Sequence, residues 1–221
     1  MKNAQKLQLK IAKELGTRFF ENIERVKNLL MLFEYLEKTT VENTNFNKRT
    51  NLDDILRSCV VLLHANLEDY LRNLAKIAWI AKDSEFYDAI PIFRENRKKN
   101  AEKFLLGEIA KHKGKSVNTL LKNSLFDYVE NNLTFNDIGQ ISSHLLSCNA
   151  LNENCRKSFK KIDSFLKRRH RIVHHADKSL SSKHRFSSIS RKQVEDWLFC
   201  VRDIVTESLM AHTEYLRTLN E

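Results

Sequence analysis

Only 4 glycines and 1 proline interrupt the 221 residues of this chain, too few for the tight hairpins that an all-β fold needs. Long apolar runs are missing as well. No window approaches the ~20 consecutive apolar residues that span a bilayer, and the amino-terminal MKNAQKLQLKIAKELG has no continuous apolar stretch of the secretory kind. A soluble, cytoplasmic protein without a membrane partner is therefore expected. The 4 cysteines, Cys59, Cys148, Cys155 and Cys200, form no C-x-x-C pair, which argues against a zinc ribbon or a disulfide framework and for reduced, buried thiols. A glycine-rich phosphate loop is absent, and with it the usual nucleotide-binding motifs. Acid is in deficit: 28 Asp and Glu face 38 Lys and Arg, leaving a formal charge of +10. Such a balance favours polyanion partners, because neutralising phosphates releases counterions, but charge alone does not separate RNA, DNA and acidic proteins.

What remains is material for amphipathic helices, with 42% hydrophobic and 30% charged residues. Leu7, Ile11, Leu15, Phe19, Ile23, Val26, Leu30, Phe33 and Leu36 recur every three or four residues, predicting one helix over about 4–38, weakened locally by Gly16. The Thr- and Asn-rich segment at about 39–50 reads as a loop. A second helix follows, with Thr50 or Asn51 as its cap and Asp53 and Asp54 in its first turn. Its apolar residues cover more than half the circumference, which marks it as the central helix. Pro91 lies in a connection, a short helix is expected at about 100–112, another starts after Ser116, and a further one within TFNDIGQISSHLLSCN. Asn149 or Asn152 caps the next long helix, and Ser190 with Gln193 opens the last in a capping box. The fold class expected is all-α: one domain over 1–221, a bundle of four main helices. Residues 83–150 form an insertion with short helices between the second and third, and a mobile, Ser-rich basic loop covers about 178–189.

One stretch concentrates unusual chemistry. KRRHRIVHHAD, Lys167 to Asp177, carries four bases and three histidines in eleven residues. Upstream the same helix is basic: Arg156, Lys157, Lys160, Lys161, Lys167, Arg168, Arg169 and Arg171 stand against the single acid Asp163. A plain solvated face and a phosphate-binding face both fit this pattern. His170 and His174 are four apart and share a face, but they lack a third ligand and the acid of H-E-x-x-H, so no metal and no cofactor are expected. At about 100° per residue, Arg169 and His174 diverge by about 140°, and a straight helix does not aim both at one phosphate. Either the helix ends or bends between them, or a second copy completes the site across a twofold interface.

The segment RHRIVH, Arg169 to His174, resembles the R-x-x-x-x-H motif of the HEPN superfamily of all-α ribonucleases, including a polar residue, His170, directly after the arginine. LLHANLEDYLRNLA, in the second helix, is similar to the Glu-bearing segment of the branch called RiboL-PSP-HEPN, and RRHRIVHHAD to that branch's active-site helix. The resemblance implies metal-independent cleavage of RNA by a homodimer with a composite active site. Products would be a 2′,3′-cyclic phosphate and a free 5′-hydroxyl, and the employment that of a toxin or phage-defence effector with an antitoxin or other regulatory protein as partner. On this reading His174 is acid or base, Arg169 clamps phosphate, and His170 orients the phosphate or the other imidazole. Lys160, Lys161, Lys167 and Arg171 would contact RNA. Glu68 shares a face with His64 and Arg72 and reads either as an intrahelical salt bridge or as a group orienting Arg169 or a histidine. Arg168, His175 and Asp177 are supporting candidates whose plainer reading is a surface charge or helix-end partner. The alternative function is a noncatalytic HEPN-like module that binds nucleotides, RNA or protein; a helical DNA-binding protein fits less well, for want of a helix-turn-helix signature.

Overall fold

A computed structural model describes residues 2–39, 48–88, 90–92, 110, 112–178 and 186–219, with side chains from residue 9 onward and, in the second helix, from residue 52. Four long helices make the bundle: α1 (Lys2–Lys38), α2 (Lys48–Ala78), α6 (Glu153–His175) and α7 (Arg191–Thr218). Between α2 and α6 lie a 3-10 turn (Trp79–Ala81) and the shorter α3 (Ser84–Tyr87), α4 (Val117–Asn132) and α5 (Ile138–Ser147). No strand occurs among the described residues. No described helix is long and apolar enough to cross a membrane.

Helix α2 is central, packing on α1, α4, α5, α6 and α7. The reason lies in its sequence, because Leu56, Cys59, Val60, Leu63, Leu67, Leu71 and Leu74 form a continuous apolar stripe and all are fully buried. The predicted stripe of α1 is its core face: Leu15, Phe19, Ile23, Val26, Leu30 and Phe33 are buried, whereas Ile11 and Leu36 pack at the margin. Gly16 sits where α7 comes closest, since a Cβ there would stand 2.8 Å from Leu209 Cδ2. All four cysteines are free and buried.

Caps fix several helix starts. Ser116 accepts from Thr119 N, Asn152 from Cys155 N and Ser190 from Gln193 N, each contributing about 1 kcal/mol. Of the two asparagines proposed for α6, Asn152 is the cap; Asn149 takes a positive φ of 51° in the turn before it. The start expected for α2 is overturned. The helix begins at Lys48, so Thr50 and Asn51 lie inside it and no acid falls in the first turn. Tertiary packing wins over the cap signal: Leu52 is already buried, and Asp53 and Asp54 face Arg57 at 3.9 and 2.9 Å rather than the helix end. The helix expected at about 100–112 lies, except for residues 110 and 112, outside the described residues.

The two ends of the Ser-rich loop are tied. Lys178 pairs with Phe186 in an antiparallel bridge, Ser187 N donates to Asp177 O at 2.9 Å, and Ile189 is buried. Residues 179–185 lie outside the described set. Helix α6 itself stops at Ala176 and Asp177, which both take left-handed conformations with φ of 47° and 56°. Asp177 N caps the helix by donating to Arg171 O at 3.0 Å.

The interior also holds histidines. His144 Nε2 donates to Leu71 O at 2.9 Å, and burial pushes this imidazole down to about 4. The unfolded chain takes up that proton near pH ~6.5, the folded chain only near 4. Stability is therefore complete above about pH 6.5 and falls as the pH drops towards 4, by on the order of 3 kcal/mol for this group. His212 and His64 are lowered by burial too and act in the same direction. Urea denaturation at pH 7 and pH 4.5 checks this: the midpoint falls with acid in the wild-type protein and falls less in His144→Gln.

Candidate active site

Helix α6 carries its apolar residues on one side, with Ile162, Phe165 and Leu166 buried. Phe165 packs between His64 of α2 and Trp197 of α7, at ring-centroid distances of 6.1 and 6.0 Å. Arg169 follows one turn later on the same face and is drawn towards α2, half-buried. Its Nη1 donates to Asn136 Oδ1 at 3.3 Å, while its Nε is buried without a hydrogen-bond partner among the described residues.

The floor beside Arg169 is the polar face of α2. His64 is buried, and its Nε2 must donate to Phe135 O at 3.2 Å, because a carbonyl only accepts. Burial pushes the His64 imidazole below its ordinary value; the Glu68 carboxylate opposes this and the positive charge of Arg169 adds to it. The ring is thus neutral near pH 7, and its unprotonated Nδ1 makes no hydrogen bond to Glu68 Oε2, 3.7 Å away. Glu68 Oε1 stands 3.6 Å from Arg72 Nη2. No Glu68–Arg169 ion pair forms among the described residues, so of the two readings of Glu68 the intrahelical one is what its contacts show. Glu68 and Arg169 act on His64 in opposite directions, the carboxylate favouring its charged form and the guanidinium opposing it.

A loop from the insertion closes the same corner. Leu133 O accepts from Arg72 Nη2 at 3.3 Å, the Arg72 guanidinium lies 5.8 Å from the Phe135 ring, and Phe135 is buried edge-on against His144 at 4.8 Å. Asn136 N donates to Gln140 Oε1 at 2.8 Å, and Asp137 caps α5 through Gln140 N at 2.9 Å. Asn136 was not visible as a site residue in the sequence, where it is one of several asparagines in a polar turn.

The histidines face outwards. His170, His174 and His175 are all exposed, with ring centroids 4.6 Å apart for His170 and His174 and 5.8 Å for His170 and His175. Since α6 runs unbroken through His175, it does not end between Arg169 and His174, and the two side chains leave it in different directions. No group of three or more potential metal ligands is assembled among the described residues. Lys160, Lys161, Lys167 and Arg171 are exposed along the helix, Lys167 paired with Asp163 at 2.6 Å.

The sequence model of the RiboL-PSP-HEPN family matches residues 21–208, a range that contains the whole of this corner. The chain belongs to that family. Comparison with the curated proteins and with the solved structures returns no match. Within this HEPN domain, adjacent arginines have opposite surroundings. Arg168 is buried, its Nη2 donating to Asp177 Oδ2 at 2.7 Å and to the carbonyls of Ser187 and Ser188 at 3.0 Å each; burial lowers its pKa, and the Asp177 charge opposes the shift. Asp177 is fully buried and also accepts from Arg57 Nε at 2.9 Å. Arg168 and Asp177 are therefore buried helix-end partners rather than surface charges, set apart from the exposed imidazoles, and Arg57 is their third partner, which the sequence did not reveal. His175 remains with the exposed histidines.

The contrast predicts different costs. Arg168→Ala leaves the Asp177 carboxylate buried with one partner fewer and should destabilise the domain by about 3–5 kcal/mol. Arg169→Ala should cost no more than about 1 kcal/mol, since it removes a half-buried side chain with one long hydrogen bond. Urea midpoints of the two variants measure the difference.

Proposed function

We propose that this HEPN domain is a metal-independent RNA endonuclease that cleaves by attack of a ribose 2′-hydroxyl, acting as a toxin or phage-defence effector. The observation that carries the reading is the arrangement at the end of α6: a half-buried Arg169 held beside α2, followed within five residues by two exposed, adjacent imidazoles, His170 and His174. Membership of the RiboL-PSP-HEPN family supports it.

The chemistry follows from the residue types. An imidazole takes the proton of the 2′-hydroxyl as its oxygen forms a bond to phosphorus; the bond from phosphorus to the 5′-oxygen breaks, and that oxygen receives a proton from an imidazolium. A cyclic 2′,3′-phosphate and a 5′-hydroxyl result, and DNA, which has no 2′-hydroxyl, is spared. His174 is the acid or base, His170 orients the phosphate or its neighbour, and the permanently charged guanidinium of Arg169 offsets charge that grows on the phosphate oxygens. Because Arg169 and His174 diverge on an unbroken helix, the working cleft is composite, with two copies related by a twofold axis. The exposed Lys160, Lys161, Lys167 and Arg171 extend a basic track for the strand.

Purified protein incubated with total RNA and EDTA should release fragments with cyclic phosphate ends. Arg169→Ala and His174→Ala should each lower the rate by about 100-fold or more while circular dichroism stays unchanged. Unaltered cleavage in both variants would sink the assignment, and saturable RNA binding without turnover would favour the noncatalytic module. Lys160→Ala and Lys161→Ala should weaken binding irrespective of RNA sequence. Each should flatten the slope of log affinity against log salt by about 0.7, as read from binding titrations at several salt concentrations.

A further inference from the structure

The insertion contributes a side chain to the corner that holds Arg169. Asn136 sits at the tip of the turn between α4 and α5, and this turn is fixed to the rest of the domain at four points. Leu133 O is held by Arg72, Phe135 O by His64, the Phe135 ring is buried against His144, and Asn136 N is bound by the Gln140 side chain. An exposed amide on so constrained a backbone has few places to go, and it meets Arg169 Nη1 at 3.3 Å. A guanidinium can only donate, so the amide must present its oxygen to Arg169. Nδ2 is bonded to the same carbon as Oδ1, and neither of its two protons has a partner among the described residues. Two donors of different charge, one permanently cationic and one neutral, thus belong to one hydrogen-bonded pair.

We propose that Asn136 contacts the RNA: its oxygen holds Arg169 while its Nδ2 donates to the same phosphate that Arg169 binds. A single oxyanion accepts from several donors, and a neutral donor locked beside a charged one adds strength without further charge repulsion. The inference rests on the reading of Arg169 as a phosphate clamp and adds the residue that sets the clamp's direction. It gives the inserted α4–α5 segment a part in substrate binding besides covering α2.

Two variants separate the oxygen from the nitrogen. Asn136→Ala removes both, whereas Asn136→Asp keeps an oxygen facing Arg169 and replaces the donor with an anionic acceptor that repels phosphate. Cleavage of a defined RNA should fall about 10- to 100-fold in Asn136→Ala, the loss expected for a hydrogen bond to a charged group, and at least as far in Asn136→Asp. Wild-type activity in Asn136→Asp alongside loss in Asn136→Ala would restrict the amide to holding Arg169 and overturn the contact with RNA. Full activity in Asn136→Ala, with Arg169→Ala inactive, would overturn the proposal and leave the ribonuclease reading standing. A binding cycle with a 2′-O-methyl oligonucleotide, which has no attacking hydroxyl, reads the site without turnover. Arg169→Ala, Asn136→Ala and the double variant should lose affinity non-additively if the two side chains share one phosphate. Additive losses, an Asn136→Ala affinity equal to wild type, or no oligonucleotide binding at all would count against it even if the wild-type protein never cleaves. Asn136 is exposed and outside the core, so both variants should keep the wild-type urea midpoint.

Discussion

The carboxylate of Asp177, fully buried and shared between two guanidiniums, is the contact on which the end of the bundle depends. Arg57 reaches it from α2 and Arg168 from α6, and both arginines also donate to the Ser187 carbonyl in the approach to α7. Two main helices, α2 and α6, thereby meet at Asp177 Oδ2, and the segment leading into α7 joins them through the Ser187 carbonyl. Charges withdrawn from water are costly, and the cost is offset here by short hydrogen bonds and by the second carboxylate that Asp54 brings to Arg57 at 2.9 Å. The same contact explains two non-glycine residues in the left-handed region. Ala176 and Asp177 adopt positive φ, worth roughly 1–2 kcal/mol each in a free chain, because that turn carries the Asp177 side chain back under α6.

The network has a partner at the opposite side of the motif. Arg168 turns inward to close the bundle, Arg169 turns along α2 to Asn136, and His170 turns out to solvent, so that three consecutive residues serve stability, anchoring and exposure. A 100° step between successive side chains makes this division possible on one turn of helix. Packing of Phe165 between His64 and Trp197 sets the rotation of α6 and with it which of the three points where.

Much of this was legible in the order of the residues. The stripe of α1, the broad apolar surface of α2 and the caps at Ser116, Asn152 and Ser190 are local patterns whose physical meaning does not depend on distant chain. The R-x-x-x-x-H spacing likewise placed Arg169, His170 and His174 on one helix, and the family assignment agrees with the resemblance read there. The misses are long-range. Thr50 and Asn51 looked like caps, but burial of Leu52 carries the helix a turn further upstream. Arg57 is 120 positions from Asp177, and beside Asp53 and Asp54 it reads as an ordinary intrahelical pair. Arg168 and Arg169 are chemically identical in a list of bases; only the tertiary packing separates the buried one from the half-buried one that meets Asn136.

The turn that presents Asn136 is held to α2 through two backbone carbonyls, those of Leu133 and Phe135, while the Leu133 side chain packs on the core and Thr134 is exposed. Main-chain anchors survive sequence drift. The identity of residue 134 can change with little penalty, and the turn can keep the same perch over the helix as long as apolar side chains fill the places of Leu133 and Phe135. The turn is in this sense an adjustable part mounted on a fixed bracket, open to variation at its surface while the arginine behind it stays in place.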